Sequence, residues 1–103
     1  MGIGALLVGF YKKGRLVYAG KVGTGFDRET LRELGAQLRR LEQNEPPFAG
    51  ELSFPGIRGA RWVKPELVAE VGFTEWTRDG RLRHPRFLGL REDKPARQVV
   101  REG

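Results

Sequence analysis

Leu67-Val68-Ala69-Glu70-Val71-Gly72-Phe73-Thr74-Glu75-Trp76 alternates apolar and polar residues more regularly than any other stretch of the chain. Leu67, Ala69, Val71 and Phe73 fall on one face at a spacing of two, with Glu70, Thr74 and Trp76 on the other, which is the pattern of a half-buried strand. The next residues, Thr77-Arg78-Asp79-Gly80-Arg81, carry an Asp-Gly turn signal, and Leu82 to Leu90 reads as the return strand, interrupted at Pro85 because proline donates no ladder hydrogen bond. This is a hairpin, and the rest of the chain is arranged around it.

Upstream, Ala5 to Tyr11 alternates through Leu6, Val8 and Phe10, and Leu16 to Val22 repeats the pattern through Leu16, Tyr18, Gly20 and Val22. The short polar loop Lys12-Lys13-Gly14-Arg15 makes these a second hairpin. Asp27, three residues before Thr30, has the position of a helix N-cap, and Leu31, Leu34, Leu38 and Leu41 follow at helical spacing with arginines on the opposite side. Four leucines buried at about 1.5–3 kcal/mol each would dock such a helix on a sheet. Gln43-Asn44-Glu45-Pro46-Pro47 stops it, and Phe48 to Arg61 reads as an irregular connector that leaves Arg58 and Arg61 exposed. Two hairpins, one helix and about five short strands in 103 residues predict a mainly β chain, a five-stranded OB-fold barrel with one helix, as a single domain over residues 1–103. A chain this long still buries enough surface to fold alone.

Composition narrows the chemistry. There is no cysteine and one histidine, so neither a disulfide framework nor a thiolate or multi-histidine metal site is available. An intracellular location fits. The longest apolar run, Ala5 to Val8, is far short of a membrane span. Nineteen basic against thirteen acidic residues give +6, concentrated in residues 54–103 with eleven against seven, and fourteen of the cations are arginine. Arginine suits bidentate phosphate contacts, so an anionic partner is expected.

Gly20-Lys21-Val22-Gly23-Thr24-Gly25 is glycine-rich but lacks the Gly-Lys-Ser/Thr ending of a P-loop, and reads as a strand ending in a tight turn. His84, beside Pro85 among arginines, has no catalytic partners legible in the sequence. Arg78 to Arg86 concentrates four arginines and one acid in nine residues, and arginines on a β-ribbon are well placed for phosphates or a minor groove. Trp62 and Trp76 could stack on bases or simply pack. In Phe87-Leu88-Gly89-Leu90-Arg91-Glu92-Asp93-Lys94-Pro95, a strand delivers Arg91 and Lys94 onto a loop, where two cations could clamp a polyphosphate with Asp93 holding them in place. Glu92 and Asp93 lie between these cations and do not resemble a metal site.

Phe87 to Pro95 resembles the last motif of the ATP-dependent DNA ligases, whose core is Arg-x-Asp-Lys. Trp62 to Val71, Trp76-Thr77, Gly80-x-Leu82-Arg83-His84-Pro85 and Tyr18 to Phe26 resemble the C-terminal OB domain of the bacterial end-joining type, in the same order. The nucleophilic lysine of that family lies in a Lys-x-Asp-Gly motif of a separate adenylation domain, and no such motif occurs here. The resemblance therefore implies a domain that is silent alone. It implies that Arg91 and Lys94, with Asp93, orient the β and γ phosphates of ATP during lysine adenylation, with ATP and Mg2+ belonging to the whole enzyme and none bound by this domain alone. It also implies a second face turned to nicked duplex DNA. Arg58, Arg61, Lys64, Arg78, Arg81 and Arg83 are the candidates there, chosen by charge and expected exposure. The implied partners are nicked or broken double-stranded DNA, the adenylation domain and a Ku-type end-binding protein, with no membrane, in the bacterial cytoplasm at the nucleoid. A free-standing single-strand-binding OB module, and an OB domain of an RNA ligase or capping nucleotidyltransferase, stay open; the first would present exposed aromatics on one sheet face.

Overall fold

The computed structural model describes residues 4–50, 52 and 57–101. Both expected hairpins are present. β1 (Leu6–Lys12) and β2 (Arg15–Val22) pair antiparallel from Leu6↔Val22 to Lys12↔Arg15, with a bulge at Val8 and Gly9. Leu16, Tyr18, Gly20 and Val22 are buried as their alternation predicts, and Ala19 is buried with them.

The helix α1 (Arg28–Arg40) begins where the cap signal puts it: the Thr30 amide donates to the Asp27 carboxylate at 2.7 Å. That bond satisfies one of the amides that a first turn leaves without a partner. Its docking rests on fewer leucines than the periodicity implies. Leu34 is fully buried and forms the centre of the core with Val22 and Phe87, and Leu38 packs partly against them, whereas Leu31 and Leu41 are only half-buried. Leu41 has left the helix. It is the C-cap, and its carbonyl accepts from the Lys64 amide at 2.8 Å, which starts a ladder between β3 (Glu42–Gln43) and β4 (Trp62–Val63). The chain therefore turns away several residues before the prolines expected to stop it. In the connector Phe48 packs edge-on to Tyr18 and Trp62 at 5.4 and 6.3 Å, and Ile57–Gly59 forms a 3-10 turn; residues 51 and 53–56 of the predicted connector lie outside the described residues.

The hairpin that follows Leu67 is bent in two. β5 (Val68–Gly72) pairs with β8 (Arg86–Arg91), and β6 (Glu75–Trp76) with β7 (Leu82–Arg83). The breaks face each other: His84 takes a left-handed φ of 53° ahead of Pro85, while across from it the Thr74 amide donates to the Arg83 carbonyl at 3.0 Å. The bulge at Glu70 and Val71 and this bend turn Phe73 outward, against expectation, so that it lies on Trp76 instead of in the core. The turn at the tip is a three-residue loop, with the Gly80 amide donating to the Thr77 carbonyl at 3.1 Å.

The class is therefore mainly β with one helix, as read from the sequence. The ladders among the described residues are four separate pairs that do not close into one five-stranded barrel. Together with α1 and the connector they border an open cavity of about 690 Å³ lined chiefly by apolar residues, among them Leu6, Val8, Leu34, Leu67 and Leu90. The glycine-rich turn is a seam. The Phe87 amide donates to Thr24 at 2.9 Å, and Gly25, at φ 95°, passes so close to the Phe87 backbone that a Cβ would collide with it. No helix among the described residues is long and apolar enough to cross a membrane.

Candidate phosphate and nucleic-acid site

Arg91 is the last residue of β8, paired with Val68. Its guanidinium donates twice to one carboxylate: Nε to Asp93 Oδ1 at 3.2 Å, and Nη2 to Asp93 Oδ2 at 2.9 Å. Parallel N–H···O bonds of this kind fix the plane of the fork as well as its place. These bonds hold the Asp93 carboxyl below its ordinary pKa, helped by its own backbone amide and by the nearby charges of Arg91 and Lys94. Lys94 follows on the same loop and is half-buried. The loop is tethered at both ends, by the β8 ladder before it and, after the 3-10 turn Ala96–Gln98, by the Tyr11 amide donating to Val99 O at 2.7 Å. The structure thus brings Arg91 and Asp93 together, with Lys94 next on the same loop.

The six expected DNA contacts behave differently from one another. Arg58, on the 3-10 turn, and Lys64, after β4, are exposed, and Arg61 reaches to within 3.9 Å of Glu42 across the β3–β4 ladder. Arg78 is exposed at the hairpin tip, and Arg83 lies 3.6 Å from Glu75 across the β6–β7 pair. Exposed pairs of this kind contribute little and exchange readily for another anion. Arg81 departs from the expected exposure. It is half-buried, it donates from Nη1 to Tyr18 O at 3.1 Å and Asp79 O at 3.3 Å, and its guanidinium lies 4.8 Å above the Tyr18 ring. Burial raises the Tyr18 hydroxyl pKa, against a smaller opposing pull from Arg81.

Both tryptophans pack. Trp76 meets Phe10 edge-on at 5.4 Å and Trp62 meets Phe48, so neither stands free as a stacking platform. His84 pins the bend, with Nδ1 3.4 Å from Thr74 Oγ1. No group of three histidine, aspartate or glutamate residues among the described residues could hold a metal ion, and Asp93 is committed to Arg91. No pattern in the chain pointed to Arg101, whose guanidinium covers Trp76 at 4.6 Å, or to Arg15 and Arg97, which line one cleft. Each meets its neighbour across a long span of chain, beyond the reach of local patterns.

Residues 1–94 match the family model of the ATP-dependent DNA ligase C-terminal region. The chain is 46% identical over 101 residues to the multifunctional non-homologous end joining DNA repair protein LigD of Mycobacterium tuberculosis, covering 98% of this chain and 13% of that protein. To LigD of Pseudomonas aeruginosa it is 42% identical over 103 residues, covering 97% and 12%. Among solved structures, the ligase domain of M. tuberculosis LigD superposes with a TM-score of 0.93 at 46% identity, over 98% of this chain and 33% of that one. A mycobacterial DNA ligase D complexed with ATP and MES superposes at 0.89, also at 46% identity, over 98% and 34%. The chain therefore spans about an eighth of the length of these LigD relatives.

Proposed function

The chain belongs to the family of ATP-dependent DNA ligase C-terminal regions, and from that premise we propose that it works as the C-terminal OB domain of a longer ligase, assisting lysine adenylation by ATP and then gripping nicked duplex DNA. The observation that carries the first role is the Arg91–Asp93 fork on a loop tethered at both ends. In adenylation, a lysine of the separate adenylation domain forms a bond to the α phosphorus as the bond to the bridging oxygen of the β phosphate breaks, and pyrophosphate carries the negative charge away. Arg91 and Lys94 present positive charge to the β and γ phosphates, and Asp93 keeps the Arg91 fork from having to reorganise as that charge develops. Asp93 is a positioning residue, and Arg91 and Lys94 are the groups that touch ATP.

Mg2+ would accompany ATP and help neutralise its phosphates, and among the described residues no histidine or carboxylate cluster would hold it. The DNA role rests on Arg58, Arg61, Lys64, Arg78 and Arg83, which are exposed, while Arg81 supports the hairpin that carries two of them. Broken or nicked duplex DNA, the adenylation domain and a Ku-type end-binding protein are the partners of this reading, acting at the bacterial nucleoid. The packed state of Trp62 and Trp76 favours it over a single-strand-stacking module.

The test separates the half-reactions in the full-length ligase. Arg91→Ala and Lys94→Ala should slow enzyme adenylation while sealing of a pre-adenylated nick stays nearly intact, and Arg78→Ala with Arg83→Ala should weaken nick binding without slowing adenylation. Equal small losses in both steps for all four variants would contradict the proposal.

A further inference from the structure

The tip of the first hairpin holds Lys13 in a backbone conformation that lysine disfavours. Lys12 pairs with Arg15, so the turn has two central residues, Lys13 at φ 51° and Gly14 at φ 77°. A turn with both φ values positive ordinarily takes asparagine, aspartate or glycine first. Lysine has a Cβ that crowds the following carbonyl in this region and no short polar group to compensate. Backbone strain of this kind gathers at functional sites. A lysine held there sets one more cation on a tip that already carries Lys12 and Arg15.

Beside the tip lies a cleft of about 370 Å³ built from three stretches of chain: Tyr11, Gly14 and Arg15 of the hairpin, Pro47 and Ala49 of the connector, and Arg97 of the 3-10 turn. Main-chain bonds fix its walls, with Ala49 N donating to Leu16 O at 2.8 Å and Tyr11 N to Val99 O at 2.7 Å. Arg15 and Arg97 are both exposed, and among the described residues no carboxylate lines the cleft and neither side chain has an ion pair or hydrogen bond. Two guanidinium groups brought to one concavity that no described carboxylate lines raise a positive potential that focuses an anion. The lysines at the tip extend that potential along the surface, which suits a strand with repeated phosphates better than a single small anion.

We propose that this cleft binds a backbone phosphate of duplex DNA through Arg15 and Arg97, with Lys12 and Lys13 against the neighbouring phosphates. The proposal rests on the ligase reading and adds a contact region that holds none of the residues assigned above.

The test uses the 103-residue chain and a nicked duplex oligonucleotide, with anisotropy measured across a range of salt. Each phosphate contact adds about 0.9 to the slope of log affinity against log salt, so Arg15→Ala with Arg97→Ala, which removes the one phosphate held in the cleft, should reduce the slope by about 0.9, and the double lysine variant should restore most of it. Lys13→Gly should lower the slope by about 0.9 and raise Tm, since it relieves the turn. If the unaltered chain binds duplex but the double alanine variant keeps the full slope with a native circular dichroism spectrum, the cleft proposal is wrong and the ligase reading stands. Failure of the unaltered chain to bind duplex in a salt-dependent way would overturn both. A double variant that keeps its duplex slope but is no longer competed off by ATP would assign the cleft to a nucleotide polyphosphate and overturn it.

Discussion

Arg81, just before β7, and Arg91, the last residue of β8, are the same residue type, yet they are put to opposite uses. Arg81 reaches Tyr18, 63 residues away in sequence, by a hydrogen bond to its carbonyl and a cation–π contact with its ring, and is half-buried between the hairpins. Arg91 is held by Asp93 two residues ahead, on the surface. A remote, part-buried partner makes an arginine a clamp between elements. A local, exposed partner fixes its direction at the surface, so the effective role is decided by where the partner comes from rather than by the side chain.

That contrast can be broken most forcefully at Arg91. Arg91→Ala in the full ligase should raise the adenylation barrier by about 2.7–4 kcal/mol, the range for losing one preorganised donor to a developing charge. Its melting temperature should hardly move, because exposed ion pairs contribute about 0–1 kcal/mol. Rapid-quench adenylation beside thermal denaturation checks both halves. Arg81→Ala should show the reverse, a loss of about 1–3 kcal/mol in stability from the hydrogen bond and ring contact with adenylation unchanged. Arg81→Lys should recover little, since an ammonium cannot reproduce the planar fork; full recovery would mean that charge alone matters there.

A smaller effect is expected in the titration of Asp93. Its folded pKa is depressed, so the Arg91 contact is present at and above the ordinary aspartate range and is lost as pH falls through the lowered value. A carboxyl NMR titration should show Asp93 returning toward its ordinary pKa in Arg91→Ala. No change would mean that the pair is not maintained in solution.

Sequence patterns exposed whichever features are local. The first hairpin was legible from alternation plus a glycine turn, α1 from the Asp27–Thr30 cap, and the Arg91–Asp93 fork from two residues of separation. The β3–β4 ladder was not, because two residues per strand carry no periodicity. Nor was the bend at Thr74 and His84, which depends on one left-handed residue, and it carried Phe73 to the outside. Selection by charge and expected exposure picked out Arg58, Arg61, Lys64, Arg78 and Arg83, which the structure does leave exposed. It failed to anticipate Arg81, whose partner lies on another hairpin, and it passed over Arg15 and Arg97, which only the folded chain brings to one cleft.

The most direct measurement supplies the domain in trans. A ligase truncated to remove this region should adenylate slowly, and adding the separate 103-residue chain should raise the rate with a saturable concentration dependence, whereas the chain carrying Arg91→Ala should not and the chain carrying Arg81→Ala, at a temperature where it is folded, should. A truncated ligase that adenylates as fast as the full-length enzyme, or equal rescue by the Arg91→Ala chain, would contradict the account.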